Sequence, residues 1–315
     1  MRCALGIDTS CYTTSVALAG EGGVIASRRR LLDVAQGARG LRQSEALFQH
    51  VQRLPALLED MLREAADARI ACVCASARPR DAEGSYMPVF TAGTAFARSI
   101  GAALRVPVRE TSHQQGHVRA AMEGAGALPG EFIALHLSGG TTEALRVREG
   151  LKIERLGGSS DLHAGQLVDR VGVRMGLSFP AGPALEAMAR RGTARGAFPL
   201  SHRDGKVSFS GAEAQAMRML EAGAAPEDVA AEVYSYLARA VAYLISDAYG
   251  RTRLSAALIS GGVASSALLR ELLPARLAKL SCPVQAHWGK PEMSGDNACG
   301  VALIGWEEQN NGKNS

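Results

Sequence analysis

The strongest constraint in this chain is that it matches itself at an offset of 128 residues. DTSCYTTSVALAGEGGVI at 8–25 lies over HLSGGTTEALRVREGLKI at 136–153. Ser10 meets Ser138, Thr13 meets Thr141 and Thr14 meets Thr142; Glu21, Gly22 and Ile25 meet Glu149, Gly150 and Ile153. Each copy reads as an apolar strand, a small polar turn, a strand, a glycine turn and a third strand. Helices and further strands follow each copy. A repeated unit of this size predicts a duplicated domain.

The 315 residues allow one large or two ordinary domains. Hydrophobic residues make up 47% and aromatics only 5%, with Ala and Gly abundant. That composition favours close-packed α/β units over an all-β sandwich. No apolar run reaches the ~18 residues of a membrane span. The start runs directly into a hydroxyl-rich turn, unlike a secretory leader. A cytoplasmic protein with no membrane association is expected. The six cysteines (Cys3, Cys11, Cys72, Cys74, Cys282, Cys299) are scattered through mostly apolar strands, so reduced thiols are expected. Net charge is +4. Basic residues gather early, at Arg28, Arg29, Arg30, Arg39, Arg42, Arg53, Arg78 and Arg80. Such a patch permits a polyanionic partner such as RNA, and fits a solvated face equally.

Small residues in the repeated turns let backbone N–H groups close on an anion, and hydroxyls add donors without bulk. A third element, ALISGGVASSALLREL at 257–272, reads as a buried strand, a Gly261-Gly262 turn and a helix. Helix starts after glycine turns bind anions. Three such turns after apolar strands point to a nucleotide.

TSHQQGHVRAAM at 111–122 sets His113 and His117 four apart, behind Ser112 as N-cap. The pair shares a helix face and could hold a metal, or be two surface histidines. Gln114 stands where a zinc peptidase of the H-E-x-x-H type needs glutamate, which argues against that class. His136, in the strand before the second polar turn, needs a partner, either a metal or a carbonyl. Asp296 could cap the last helix or serve as a carboxylate ligand.

Taken together, GIDTSC, SHQQGHVRAA, LSGGTTEAL, DLHAGQLVDRVGVRMGLSFPAGPALEAMA, VSFSGAEA, LISGGVASSALLR and GDNACGVA, in this order, resemble one family. It is the transferase subunit of tRNA threonylcarbamoyladenosine synthase, bacterial TsaD and its archaeal and eukaryotic relatives. The resemblance covers nearly the whole chain. It implies an α/β, duplicated actin/Hsp70/sugar-kinase-like two-lobe fold with a nucleotide cleft between the lobes. The expected division is an N-terminal lobe over 1–110 plus 290–315, a bridging metal-site helix over 111–124 and a C-terminal lobe over 125–289.

The same resemblance implies metal ligands at His113, His117 and Asp296. Archaeal-type members have a tyrosine ligand where this chain has His136, and the full set would suit iron or zinc. It implies phosphate contacts at Ser138, Gly139, Gly140 and Thr141, ribose contacts at Gly165 and Asp169, a purine-side glycine at Gly182, and an adenosine turn at Gly261 and Gly262. ATP or threonylcarbamoyl-adenylate would be the ligand. The implied reaction moves the threonylcarbamoyl group from its adenylate to the adenine amino group of tRNA. Asp8, Ser10, Cys11 and Asp161 are the catalytic candidates. Implied partners are tRNA and small proteins of the modification complex, a homologous paralogue among them.

The chain also departs from the family pattern. ETSCDET is DTSCYTT here, so two acids become Tyr12 and Thr13. GEAFD reads GQLVD, placing Gln166 for glutamate, after the pair Asp161-Leu162. SGGHT is SGGTT, with Thr141 for histidine, and Glu213 stands where lysine is usual. SARPRDAEGSYMPVF at 76–90 replaces a GPG-type segment. Threonine cannot take over proton transfer from a carboxylate. The alternative to a transferase is therefore a non-catalytic or diverged paralogue that binds nucleotide and metal within a complex.

Overall fold

A strand buried on both faces belongs inside a sheet, and RCALGIDT, buried from its second residue onward, is such a strand. In the computed structural model, which describes residues 1–10, 12–34 and 41–311, it is β1 (Arg2–Thr9). There follow β2 (Thr13–Gly20), β3 (Gly23–Leu31), α1 (Gln43–Glu64), β4 (Arg69–Arg78), α2 (Phe90–Leu104), β5 (Val108–Ser112) and α3 (His113–Met122). Next come β6 (Phe132–Leu137), β7 (Thr142–Arg148), β8 (Lys152–Ser159), α4 (Ala164–Arg174) and α5 (Gly182–Ala189). The chain continues through β9 (His202–Arg203), β10 (Lys206–Val207), α6 (Ser210–Glu221), α7 (Pro226–Thr252), β11 (Ala256–Ser260), α8 (Ala267–Lys279), β12 (Gln285–Trp288) and α9 (Cys299–Asn311). Two units result: Met1–Glu123 with Gly295–Ser315, and Gly124–Ser294.

The first unit has the sheet order β3-β2-β1-β4-β5, antiparallel through the hairpins and parallel from β1 to β4 to β5. Alternation along β1 divides its two faces. Leu5 and Ile7 join Leu54 and Met61 of α1 and Ala97 of α2 in one apolar cluster. Ala4 and Gly6 lie against α9 on the other face. Asp8 continues that second series, which decides where its carboxylate goes. The helix α1 runs through Pro55 and buries Ala46, His50, Arg53, Leu54 and Met61 along one stripe.

The second unit has the order β12-β11-β6-β7-β8-β10-β9. Its first three strands form the same meander as β1 to β3, and β6 pairs in parallel with β11 as β1 does with β4. The register repeats too: Asp8 faces Ser15 on β2, and His136 faces Glu143 on β7, 128 residues later. The helix α7 is buried along most of its length among residues of β6, α4, α5 and α8. Cys3, Cys72, Cys74, Cys282 and Cys299 are buried free thiols, and burial lifts Cys72 to about 11. Cys11 and Arg39 lie outside the described residues. Among the described residues, no helix is long and apolar enough to cross a membrane.

Candidate metal centre and nucleotide turns

Two helix starts meet in the first unit because glycines let them. A Cβ on Gly300 of α9 would overlap the Gly116 carbonyl of α3, and one on Gly116 would lie 2.9 Å from Val301 Cγ2. On the sheet side, a Cβ on Gly6 would come within 2.6 Å of the Ala298 carbonyl. Real side chains do not fit at such distances, so these glycines set how closely α3 and α9 pack. A capping box starts α3: Ser112 Oγ accepts from Gln115 N at 3.1 Å, and Gln115 Oε1 accepts from Ser112 N at 2.9 Å. His113 and His117 then project from one face of its first turns. At the start of α9, Asn297 Oδ1 accepts the Cys299 N–H at 2.9 Å. The adjacent Asp296 carboxylate therefore faces the histidines instead of serving as the cap.

His113 Nε2 and His117 Nε2 are 3.0 Å apart. Asp296 Oδ1 is 3.1 Å from His117 Nε2 and 3.6 Å from His113 Nε2. Donors about 2.0–2.2 Å from one ion stand about 3.0 Å apart in an octahedral arrangement and about 3.4 Å apart in a tetrahedral one. All three edges fall near that range. Two imidazoles and a carboxylate fit a divalent transition metal and leave further positions open. Among the described residues this is the one such cluster of three.

The groups behind the ligands are ordered as well. His113 Nδ1 donates to Asp8 Oδ2 at 2.7 Å, which turns Nε2 toward the other two ligands. Asp8 is itself buried; it accepts from Ser76 Oγ at 2.8 Å and from the Ser10 N–H at 3.0 Å. The other oxygen of Asp296 accepts from Ser10 Oγ at 3.1 Å and Thr13 Oγ1 at 3.4 Å. His50 of α1 holds this hydroxyl turn from below: its Nδ1 is 2.8 Å from Thr14 Oγ1 and its Nε2 is 2.8 Å from the Ser10 carbonyl. Burial lowers the pKa of His50, with the Ser10 carbonyl and Asp8 opposing. Burial also works against a charged His113, but Asp8 first and then Asp296 overcome it and hold its pKa well above the ordinary histidine value. For Asp296, burial favours the neutral acid, and bonds to His113 and His117 outweigh it, leaving the carboxyl well below its usual range.

In the second unit, Ser138, Gly139, Gly140 and Thr141 make the tight turn between β6 and β7. Ser138 N donates to the Thr141 carbonyl at 2.8 Å, and Thr141 N donates to Ser138 Oγ at 3.0 Å. The start of α4 docks under that turn. Gly165 N donates to the Ser138 carbonyl at 3.0 Å, and Ala164 N to Thr142 Oγ1 at 2.8 Å. A Cβ on Gly165 would lie 2.6 Å from Gly139 N, so packing requires that glycine. Gly261 has φ +97°, and its Cβ would overlap the Leu137 carbonyl. At Gly139, Gly140 and Gly262 a Cβ would meet nothing within 4 Å, and none has a left-handed φ. Neither packing nor backbone conformation requires glycine at these three.

The remaining candidates take up other bonds. Asp169 Oδ1 accepts the Ala181 N–H at 2.8 Å, and the Gly182 carbonyl accepts from Tyr234 OH at 3.0 Å. Asp161 accepts from Ser208 Oγ at 2.6 Å, Ser210 Oγ at 2.5 Å and Phe209 N at 2.7 Å. Burial alone would raise its pKa; those hydroxyls and amides instead bring it down to about 2. Its carboxylate fastens the start of α6. His136 belongs to the second unit, with Nδ1 3.5 Å from Ser260 Oγ. Reasoning from sequence did not find Ser76, His50 or the packing glycines Gly116 and Gly300. The glycines stand inside the motifs SHQQGH and NACG, and that was the available signal.

Residues 32–298 match the family model described as TsaD, tRNA N6-adenosine threonylcarbamoyltransferase. A tRNA N6-adenosine threonylcarbamoyltransferase of Aromatoleum aromaticum is 33% identical over 313 residues, covering 96% of this chain and 90% of the relative. A probable bifunctional tRNA threonylcarbamoyladenosine biosynthesis protein of Methanothermobacter thermautotrophicus is 29% identical over 96% of this chain and 55% of its own length. Among solved structures, the activator of 2-hydroxyisocaproyl-CoA dehydratase from Clostridium difficile superposes with TM-score 0.56 at 15% identity, covering 99% of this chain and 97% of the activator. A ROK-family glucokinase from Streptomyces griseus gives 0.54 at 15%, covering 97% and 99%. These two share the actin-like ATPase and sugar-kinase fold. By the extent of the family match and the near-complete coverage of the relative that is 33% identical, the chain belongs to the tRNA N6-adenosine threonylcarbamoyltransferase family.

Proposed function

We propose that the chain transfers a threonylcarbamoyl group from threonylcarbamoyl-adenylate to N6 of an adenine in tRNA. A C–N bond forms at N6, the bond from the carbonyl carbon to the phosphate oxygen breaks, AMP leaves with the bonding pair, and one N6 proton passes to solvent. The observation that carries this reading is the His113, His117 and Asp296 set, with Asp8 fixing His113 from behind. An iron or zinc ion held there would act as a Lewis acid on a carbonyl or phosphoryl oxygen. Asp8 is a positioning residue, since its oxygens are taken by His113, Ser76 and Ser10 N. Ser10 and Thr13 hold the second oxygen of Asp296, which keeps the first directed at the histidines. Glycine at 139, 140 and 262 supports a phosphate and nucleoside site in the second unit.

The basic residues near the N-terminus are in part engaged internally. Arg28 pairs with Glu64, and Arg53 with Asp33. Arg29 and Arg30 enter the proposal as tRNA contacts. The bifunctional relative supports work alongside partner proteins.

A second reading, binding without turnover, is favoured by the N-terminal turn. Where the family carries acids, this chain has Tyr12, half-exposed, and Thr13, bonded to Asp296. One assay separates the readings. Purified protein receives threonylcarbamoyl-adenylate, iron or zinc, and unmodified ANN-decoding tRNA, with and without partner proteins. Mass spectrometry reads the modified nucleoside. Metal-dependent product that disappears in His113→Ala/His117→Ala is the expected result. Absence of product with metal and nucleotide bound would leave the second reading standing.

A further inference from the structure

The loop after α5 lines an open cavity of about 360 Å³ together with α7 and α8. Its walls are Ala194, Arg195, Gly196, Ser235, Arg239 and Arg276. It shares no residue with the glycine turns. We propose that Arg195, Arg239 and Arg276 form a binding site for a phosphate group.

Carboxylates of α7 fix the loop by its backbone. Asp228 Oδ1 accepts Thr193 N at 2.8 Å, and Glu232 Oε1 accepts Arg195 N at 2.5 Å. A Cβ on Gly192 would overlap the Glu227 carbonyl, so the loop lies flat on the helix. The guanidinium groups meet neutral partners. Arg239 donates to the Phe198 carbonyl at 2.6 Å and lies 5.7 Å from the centre of the Tyr236 ring. Arg276 donates to Ser235 Oγ at 3.3 Å. Among the described residues none of the three forms an ion pair, and the buried Arg239 Nε has no hydrogen-bond partner. Burial first, and then the nearby charge of Arg276, pull the pKa of Arg239 down, with Glu232 opposing. Glu232 is fully buried, and its second oxygen also lacks a partner.

Arginine stays charged in proteins. Three cations at one cavity outnumber the two carboxylates, Asp228 and Glu232, that hold the loop backbone, and leave positive charge without a counter-ion. A ring and neutral acceptors satisfy N–H groups but do not cancel charge. An oxyanion would do both, and the planar guanidinium fork matches phosphate oxygens in pairs. The cavity falls in the size range of small-molecule sites, so the phosphate could belong to a larger small molecule as well as to an RNA backbone.

Inorganic phosphate is the first probe, tested against sodium chloride at equal ionic strength by calorimetry and thermal unfolding of the intact protein. Saturable binding and a raised Tm are expected. Arg239→Gln and Arg276→Gln should each weaken phosphate binding by about tenfold or more. Unmodified tRNA is the second probe. If the site takes a backbone phosphate, the folded double variant binds tRNA more weakly and its salt slope falls by about one. If it takes a free phosphate compound, tRNA binding is unchanged while phosphate binding is lost. The proposal fails if phosphate does no more than chloride to the wild-type protein, or binds the double variant equally, and the tRNA salt slope is unaltered. No arm depends on transfer activity.

Discussion

Positions 8 and 136 occupy the same place in two copies of one hairpin. Each is the last residue but one of a central strand, and each meets a serine on the neighbouring parallel strand. Asp8 accepts from Ser76 Oγ at 2.8 Å, and His136 Nδ1 is 3.5 Å from Ser260 Oγ. The turns that follow have diverged. In the first unit Ser10 and Thr13 hydroxyls hold a carboxylate that faces two histidines. In the second, Gly139 and Gly140 leave open space above a turn that sits on the start of α4. A duplicated backbone thus carries two chemistries. Hydroxyls and acids order a side-chain set that could hold a cation, while glycines and a helix start could suit an anion.

The sharpest way to break the comparison is to add side chains to glycines of the two units. Gly300→Val places atoms into the Gly116 carbonyl, where backbone must move. We expect about 3 kcal/mol of destabilisation, read by urea unfolding, and loss of the metal site with it. Gly139→Ala adds a methyl group to open space. Its stability should stay within about 0.5 kcal/mol of wild type while nucleotide affinity falls. Equal destabilisation by both would remove the distinction between packing glycines and ligand glycines.

Asp8→Asn tests whether the first copy acts through His113. The amide can still accept from Nδ1 but carries no charge. Metal affinity should fall about 10–100-fold, measured by competition with a chelating dye, with the fold retained. An unchanged affinity would show that the orientation of His113 does not rest on Asp8.

Much of this was legible in the chain. The offset of 128 residues marked both hairpins, and Ser112 marked the start of α3. The division of labour within the first turn was not. Ser10 and Asp296 are 286 positions apart along the chain, Asp8 lies two further off, and no local pattern says which oxygen faces which donor. Asp8 read as a catalytic acid because its type and motif suit one. Its burial behind His113 follows from the alternation of β1 combined with the packing of α9. Gly116 and Gly300 were hidden for a related reason: a glycine needed for helix contact looks, in sequence, like any other small residue.

Protons sharpen the same comparison, because the histidines and carboxylate of the first unit titrate and a glycine turn does not. The pKa of His113 in the folded protein is raised above its unfolded value of about 6.5. Its contribution to metal-free stability is therefore complete below about pH 6.5 and is lost as pH rises through the folded value. Asp296 behaves oppositely: its pKa is lowered, so its contribution is present above about pH 3.9 and is lost as pH falls through the folded value. Metal binding must remove the His113 proton. Affinity should rise about tenfold per pH unit until the folded pKa is passed. Urea unfolding in chelator and metal titrations over the same pH series would show stability and affinity moving in opposite directions.

The smallest effect concerns a departure within the second unit. Gln166 occupies a position where the family pattern has glutamate. Its Oε1 accepts the His163 N–H at 3.0 Å, the glutamine half of a capping box at the start of α4. Glutamate and glutamine both serve in that role. The substitution is therefore structurally conservative, and any consequence must come through charge. Gln166→Glu should leave stability within about 0.5 kcal/mol. If the lost carboxylate matters to the chemistry, the variant gains transfer rate without gaining Tm. If it served only to cap the helix, both stay where they were, and the divergence of this chain rests on Tyr12 and Thr13 in the first unit instead.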